Sequence, residues 1–459
     1  MKLRFASPLL ATIALVACGG SVASNPTAST EVDSGALPST DSGSPVVEDS
    51  TPAAEDTTAA VDAKDTAVPT DHGAPSDKYP AFTPDMPELI ANGGDVLTAP
   101  VVVTVTFPGD VNADSYESFG DRLGGTSYWK SIVGEYGVGP TTSGAANHVR
   151  ETTAPPADWS DGDIDAYIAD HANNHAKYGW PAPTDQTIYT IYVPKTTNVT
   201  LQGNDTCSSG IGGFHTSTVA LGMNVAYAIV LQCSYGSKAT TPRTVTATHE
   251  LAEAVTDPHP QSGAPGYYGL DDDHVAWEIF MSRNVENGDM CEIYRESRYS
   301  DTIDTGFAFN TQRCWSNASA KAGHNPCVPA PTSAPYYNVA PLDLEKVTMN
   351  AVSLGGSSRQ PSKGYKVAVG ETRTFQVGLW SEAKAPAFTI RGTEGSPLAT
   401  TTPTRHLSIK TDRTSGVNGE KINVTVTVNS VNSTKASVLT IVSSDGLSEH
   451  YLPILISSQ

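Results

Sequence analysis

The sequence predicts two folded regions: an α+β region with a mixed sheet, followed by an all-β region of the immunoglobulin-like type. Between residues 79 and 335, unbroken β-branched runs alternate with helical patterns and glycine stops. From residue 336 to 459 the helical patterns end, and short alternating runs recur between polar turns in the spacing of a β-sandwich. A proline-rich stretch at 329–335 is the predicted hinge. The 38% hydrophobic content together with 39 glycines excludes disorder of the whole chain.

The first 17 residues have the pattern of a signal peptide. Two basic residues precede an apolar run at 9–16 that is too short to cross a bilayer as a permanent helix. The run ends in Leu-Val-Ala-Cys, which resembles the lipobox of bacterial lipoproteins and implies that Cys18 is lipidated. An ordinary secretory signal is the alternative. Gly19 stands where inner-membrane lipoproteins tend to carry aspartate, so the resemblance implies a lipid-anchored, extracytoplasmic protein at the outer membrane or cell surface.

Residues 18–78 are predicted to form a disordered acidic tether. They are rich in Ser, Thr, Ala and Pro, and eleven acidic residues lie between Glu31 and Asp77 against only Lys64 and Lys78. Such a segment cannot bury enough apolar surface to offset the entropy of ordering it. The whole chain has a net charge of -21, which opposes phosphate contacts and excludes nucleic acid as an expected partner.

The folded regions contain clear local elements. Continuous apolar or β-branched runs predict buried strands at 100–107, 187–193 and 225–231. Amphipathic patterns predict helices at 127–133 and 163–168, the first of them followed by a glycine stop. These patterns place strands and helices in one region but leave the strand order open.

Five further cysteines lie in the α+β region, and export favours disulfides. The pairing that we favour joins Cys207 with Cys233 and Cys291 with Cys327, which leaves Cys314 as a free thiol. No C-x2-C pair is present, so a structural zinc site made of cysteines is not expected.

The segment 241–259 predicts the helix that carries chemistry, with a start at Pro242 and a stop at Pro258. At 100° per residue, its ionisable residues occupy one quadrant and its apolar residues lie on the opposite arc, which is the face expected to be buried. The ionisable residues are His249, Glu250, Glu253 and Asp257.

His249 and Glu253 lie on adjacent turns and can bind one cation, with Glu250 beside them. This is the layout of the H-E-x-x-H zincin helix with glutamate in place of the second histidine. In that chemistry the metal lowers the pKa of a bound water and the adjacent glutamate accepts its proton, so Glu250 is the predicted general base. A solvated helix face is the alternative, although the crowded carboxylates repel one another unless a cation offsets them.

A zinc site needs a third protein ligand. Asp289 is predicted for this role, because a disulfide at Cys291 would fix its loop. The other residues that fit the role are Asp257, His215, His259 and Glu278. The acidic run 271–273 is interpreted as a solvated turn, with a calcium loop as the alternative. An imidazole ligand favours zinc as the cofactor, whereas the many carboxylates also suit calcium.

Several of these residues occur in motifs that resemble the EXORDIUM-like, or phosphate-induced, proteins of plant cell walls and their bacterial relatives. The resemblance covers about residues 95–328, with an insertion around 271–286. It rests on the His-Glu-Leu-Ala-Glu block at 249–253, Gly-Asp-Met-Cys at 288–291, Gly-Phe-His at 213–215, Cys207 and Trp129. The resemblance implies an extracellular compartment. It supports a role for the helix predicted within 241–259 more than it supports a particular reaction.

Two functional hypotheses follow. The first is a lipid-anchored zinc-dependent hydrolase, in particular a metallopeptidase, that acts on a protein or cell-wall polymer. The second is a noncatalytic envelope or adhesion protein with a structural cation and a binding β-sandwich. The sequence contains neither a G-x-S-x-G nucleophile elbow nor a phosphate-binding P-loop, which disfavours those reaction classes.

Overall fold

A computed structural model describes residues 69–233, 242–261, 264–282, 285–300, 302–350, 359–398 and 404–459. The predicted signal peptide, the lipidation site Cys18 and most of the predicted tether lie outside the described residues. The fold is mixed α+β with several sheets, and the C-terminal region consists mostly of strands.

Twelve strands are described before residue 330. They are β1 (Leu89–Ala91), β2 (Val101–Thr106), β3 (His148–Arg150), β4 (Asp158–Ser160), β5 (Thr187–Tyr192), β6 (Asn198–Leu201), β7 (Asn204–Asp205), β8 (Gly213–Ala220), β9 (Met223–Val230), β10 (Tyr267–Leu270), β11 (Cys314–Trp315) and β12 (Cys327–Val328). The largest sheet has the order β3-β2-β5-β9-β8. Its strands are parallel except β8, which pairs with β9 antiparallel and forms one edge.

The helices of the described residues are α1 (Ala113–Leu123), α2 (Ser127–Val133), α3 (Asp161–Asn173), α4 (His175–Tyr178), α5 (Arg243–Thr256), α6 (Val275–Phe280), α7 (Asp289–Glu292), α8 (Arg295–Arg298), α9 (Thr302–Thr305) and α10 (Asn317–Ala322). Short 3-10 turns lie at Gly134–Tyr136, Ala145–Asn147 and Asp272–His274. The start of α2 is capped by the Thr126 hydroxyl, and that of α3 by the Ser160 hydroxyl. No helix among the described residues is both long enough and apolar enough to cross a bilayer.

Helices cover both faces of the five-stranded sheet. Alternate residues of each central strand point to opposite faces, so one strand contributes side chains to two hydrophobic clusters. On β5, Ile188 and Tyr192 join the hydrophobic cluster that contains α2 and α5, whereas Tyr189 and Ile191 join the cluster that contains α3. Phe214 on β8 also points toward the α3 side. Its neighbour His215 therefore faces the side on which α5 lies.

Helix α5 is buried all round, which differs from the expectation of a single buried face. Its apolar residues Ala247, Leu251 and Val255 pack in the hydrophobic cluster that also contains Ile188 and Tyr192 of β5. Its ionisable side is covered as well, because the chain at 286–289 returns over it. The acidic stripe is therefore removed from water, and its charges must be balanced within the protein.

The C-terminal region contains two sheets, with orders β13-β16-β20-β18 and β14-β15-β22-β21-β17-β19. The strands are β13 (Tyr337–Pro341), β14 (Glu345–Asn350), β15 (Arg359–Lys366), β16 (Thr372–Ser381), β17 (Phe388–Glu394), β18 (Leu407–Thr411), β19 (Ser415–Gly416), β20 (Lys421–Val428), β21 (Ala436–Ser444) and β22 (Glu449–Ser457). All described pairings are antiparallel except that of β15 with β22. Apolar side chains from both sheets share one hydrophobic cluster.

The same cluster extends into the α+β region, so the described residues of both regions belong to one compact unit. Tyr451 on β22 packs against Phe280 and Tyr294, with ring centroids 5.5 Å and 5.8 Å away. The predicted hinge at 329–335 thus joins two parts of a shared core. Residues 69–78, assigned to the tether from composition, lie along the C-terminal strands, where the Asn418 amide donates to two of their carbonyls.

Candidate metal centre

Helix α5 and the turn that begins α7 bring the principal predicted residues together. His249 and Glu253 are one helical turn apart, and their Nε2 and Oε1 atoms lie 3.1 Å apart. Oδ1 of Asp289, the first residue of α7, lies 3.8 Å from the same histidine nitrogen. The backbone N–H of Asp289 donates to Glu253 Oε1 at 3.1 Å, which fixes α7 over the helix. All three residues are at most 1% exposed.

Gly288 allows this close approach. A Cβ at this position would lie 2.7 Å from Glu253 Oε1 and 2.9 Å from His249 Nδ1, so any other residue would push the two side chains away. A disulfide between Cys291 and Cys327 ties α7 to β12, and the second predicted pair, Cys207 and Cys233, is also formed. Both predicted pairings are confirmed, and Cys314 is free as predicted. Its side chain is buried.

Gln312 orients the imidazole of His249. The sequence patterns did not indicate this residue. Its amide lies 2.9 Å from His249 Nδ1, and its Nε2 also donates to the Gly288 carbonyl at 2.9 Å. This contact leaves His249 Nε2 facing the carboxylates. Gln312 is 63 residues from His249 and belongs to no recognisable motif, so only the tertiary structure reveals it.

His215 brings a second imidazole to the cluster from the edge strand β8. Its Nδ1 lies 3.4 Å from Glu253 Oε2 and 3.8 Å from Glu250 Oε2. Its Nε2 lies 3.5 Å from Oε1 of Glu286, a buried residue that sequence reasoning missed. The only sequence signal for Glu286 is its position three residues before Asp289 on the same loop.

Within the described parts of the chain, two groups of three residues have donor atoms within 4.8 Å of one another and could hold a metal ion. They are His249, Glu250 and Glu253, and His215, Glu253 and Glu286. Asp289 contacts the first group but is a member of neither, so the structure favours Glu250 and His215 over Asp289 by proximity alone. Glu253 belongs to both groups.

Burial and neighbouring charge shift the pKa values of these groups in different directions. Burial raises the pKa of Glu250, and it raises those of Glu286 and Asp289 well above the ordinary carboxyl range. Burial opposes ionisation of Glu253 too, but the two imidazoles outweigh it and lower the pKa of Glu253 to about 2. Burial would lower the pKa of His215, yet the surrounding carboxylates raise it well above its usual value.

The other residues considered as metal ligands lie outside both groups. Asp257 accepts a hydrogen bond from the Gly266 N–H at 2.9 Å, and Glu278 accepts one from the Leu270 N–H at 3.2 Å. His259 follows His249 by ten positions, the spacing of the third histidine in H-E-x-x-H-x-x-G-x-x-H. Thr256, the last residue of α5, occupies the position of the glycine in that pattern. The side chain of His259 lies near Asp95, with 4.0 Å between Nε2 and Oδ2.

The acidic run 271–273 has local partners, which agrees with the interpretation as a turn. Asp271 caps the 3-10 turn and contacts His274 Nδ1 at 2.7 Å. Asp273 forms ion pairs with Lys346 and Lys363. These contacts supply the counter-charges that a calcium ion would otherwise provide.

Comparison with models of known protein families and with curated proteins finds no match. The resemblance to EXORDIUM-like proteins therefore stays a prediction.

Proposed function

We propose that the chain is a zinc-dependent hydrolase, in particular a metallopeptidase, anchored by an N-terminal lipid outside the cytoplasm. One observation carries the proposal: His249, Glu250 and Glu253 on one buried helix have donor atoms within 4.8 Å of one another, and Asp289, the predicted third ligand, lies 3.8 Å from His249 Nε2. Zinc with bonds of about 2.0–2.1 Å in a tetrahedral site separates its ligand atoms by roughly 3.3–3.5 Å. The donor set of one imidazole and two carboxylates suits zinc.

The surrounding residues prepare the ligands for this role. The Gln312 amide, 2.9 Å from His249 Nδ1, fixes the ring with Nε2 toward the carboxylates, where the metal would bind. Gly288 and the Cys291–Cys327 disulfide hold Asp289 close to the helix. Zinc, when bound, supplies a water of lowered pKa and a Lewis acid for a carbonyl.

Glu250 is the proposed general base. It follows the first ligand directly on α5 and belongs to the same three-residue group as His249 and Glu253. Gly213 on β8 lets the carboxylate lie against the edge strand, since a Cβ there would be 2.6 Å from Glu250 Oε1. In this position Glu250 can take a proton from a water at the centre and pass it to a leaving amine.

A structural cation is the second candidate function, and complete burial favours it. The residues on α5, namely His249, Glu250 and Glu253, are 0% exposed. The neighbouring residues from β8 and the 286–289 turn, namely His215, Glu286 and Asp289, are at most 3% exposed. A structural site is closed by protein ligands, whereas a catalytic one keeps a position for water and substrate. Under this alternative the chain is an envelope or adhesion protein, and its C-terminal strands, proposed as an immunoglobulin-like sandwich, bind the partner.

Metal analysis and a paired activity screen test the proposal on the full-length protein. We expect zinc to copurify, to be lost in His249→Ala, and to be retained in Glu250→Gln and in the surface control Glu88→Gln. Hydrolysis of unstructured protein and ester substrates should disappear in Glu250→Gln, because general-base catalysis contributes about 10²–10⁴-fold.

The same variants separate the alternatives. Loss of zinc from Glu250→Gln would make Glu250 a ligand and refute its role as base. Bound zinc without hydrolysis of any substrate would favour the structural cation. A protein that binds no zinc, or binds calcium in its place, would overturn the hydrolase. Release from the membrane fraction by Cys18→Ser checks the lipid anchor separately.

A further inference from the structure

His215 and Glu286 are buried at the centre but have no role in the mononuclear site. His215 lies on β8 and is 3% exposed, and Glu286 precedes α7 and is 1% exposed. Neither residue is adjacent in sequence to the helix α5, and the two are 71 positions apart. Their convergence on Glu253 therefore requires an explanation.

The polar atoms of these residues face one another without making hydrogen bonds. Among the described residues, neither ring nitrogen of His215 has a hydrogen-bond partner, and the same holds for Glu286 Oε1 and Glu253 Oε2. The two short distances start from different ring nitrogens, 3.4 Å from His215 Nδ1 to Glu253 Oε2 and 3.5 Å from His215 Nε2 to Glu286 Oε1. One nitrogen of His215 and one oxygen of each glutamate lie within 4.8 Å of one another, so a single ring nitrogen can share an ion with both carboxylates. Buried polar atoms in native proteins are normally satisfied, so these atoms point to a ligand between them.

We propose that His215, Glu286 and Oε2 of Glu253 bind a second divalent cation beside the first. The inference rests on the proposed function and makes the centre dinuclear. Glu253 is the bridge: its Oε1 faces His249 at 3.1 Å, and its Oε2 faces His215 at 3.4 Å. The two oxygens of one carboxylate can serve two ions, and two-metal hydrolytic centres hold their ions about 3.5–4 Å apart.

The charge of the cluster supports two ions over one. Glu250, Glu253, Glu286 and Asp289 contribute four carboxylates to a buried volume. Glu253, Glu286 and Asp289 each lie within 4 Å of a histidine nitrogen, at His215 or His249. A second divalent cation would stabilise more of these buried carboxylates in the ionised form that metal binding requires.

The donor types define the class of the second ion. One imidazole and two carboxylates form a nitrogen and oxygen site, which suits zinc, manganese or cobalt. A second ion widens the proposed chemistry, because two-metal sites stabilise both the attacking and the leaving oxygen of a substrate. His215 on the edge strand would thus be a metal ligand rather than a buried imidazolium.

The test is metal stoichiometry on the full-length protein after removal of metal with a chelator. Zn²⁺ titration followed by elemental analysis should give two ions per chain for the native sequence and for Glu88→Gln. Glu286→Gln and His215→Asn should each retain one ion, with affinity for the second lowered at least 100-fold. Co²⁺ titration of the unaltered protein should show two saturation steps and magnetic coupling between the ions, a readout that needs no variant to fold.

Other outcomes overturn the inference and show what fails with it. One ion that is lost in Asp289→Asn but kept in Glu286→Gln would remove the second site and leave the proposed hydrolase intact. One ion that is lost in Glu286→Gln but kept in Asp289→Asn would overturn both the second site and the proposed ligand set. A protein that binds no ion would overturn both proposals.

Discussion

Substituting Gly288 by alanine tests the geometry of the metal centre without changing its charge or any donor atom. The added Cβ would lie 2.7 Å from Glu253 Oε1 and 2.9 Å from His249 Nδ1. Ordinary contacts begin near 3.4 Å, so the carboxylate must retreat by about 0.7 Å or the α7 turn must lift. Neither movement is easy, because both side chains are completely buried.

The magnitude follows from this crowding. Overpacking a well-filled interior costs about 1–3 kcal/mol, and we expect Gly288→Ala to lower the free energy of unfolding of the metal-free protein by that amount. Displacing the ligands should also weaken zinc binding by about 10–100-fold, the size of effect seen when the support of a metal ligand is removed.

Chemical denaturation measures the first effect, and zinc titration in the presence of a competing chelator measures the second. Gly162→Ala on α3 is the matched control, since its Cβ would meet no atom within 4 Å. This control should leave zinc affinity unchanged and alter stability by at most about 1 kcal/mol. Native zinc affinity and native stability in Gly288→Ala would refute the proposed arrangement of ligands around this glycine.

Three further predictions concern the scaffold. Arg243→Met should cost about 3–5 kcal/mol of unfolding free energy by denaturation, because it leaves the buried Asp110 carboxylate, 3.0 Å from the guanidinium, without its partner. Burial opposes ionisation of His274, but Asp271 and Asp85 outweigh it and raise its pKa from 6.5 to about 9. The charged imidazole should therefore add about 3 kcal/mol to the free energy of unfolding below pH 6.5, and this stabilisation should be lost as the pH rises through 9. The difference in stability between the native protein and His274→Asn should shrink over that range. Replacing Cys291 and Cys327 by serine opens a loop spanning 36 residues and should cost about 3–4 kcal/mol in thermal or chemical unfolding.

Each of these predictions has a definite contrary result. An arginine variant that loses under 1 kcal/mol would show that the ion pair is solvated. A stability difference for the histidine variant that is constant between pH 6 and 10 would contradict the charged imidazole. Unchanged stability of the serine double variant would show that the disulfide does not constrain the unfolded chain.

Local patterns in the sequence predicted much of the secondary structure. The run at 187–193 is the central strand Thr187–Tyr192, and the helix predicted at 127–133 is Ser127–Val133. The predicted stop of helix α5 before Pro258 is confirmed, because α5 ends at Thr256. These features depend on hydrophobic periodicity, proline and capping groups within a few residues, all of which the sequence displays directly.

The composition of the candidate metal centre was predicted only in part. His249, Glu250 and Glu253 share one helix, so their spacing alone placed them together. Glu286 and Gln312 were missed, and His215 was one of several alternatives, because each reaches the centre from a different element. No periodicity relates positions that far apart in the chain.

The sequence by itself determined the local elements, the disulfide-bearing region and the acidic helix with its histidine. The tertiary structure decided that β8 pairs antiparallel with β9 at the sheet edge and brings His215 to helix α5. It also decided that the 286–289 turn covers this helix and that both regions share one core. Helical and strand propensity act over a few residues, whereas the burial of four carboxylates with two imidazoles depends on which distant segments pack together, and that is set by the core as a whole.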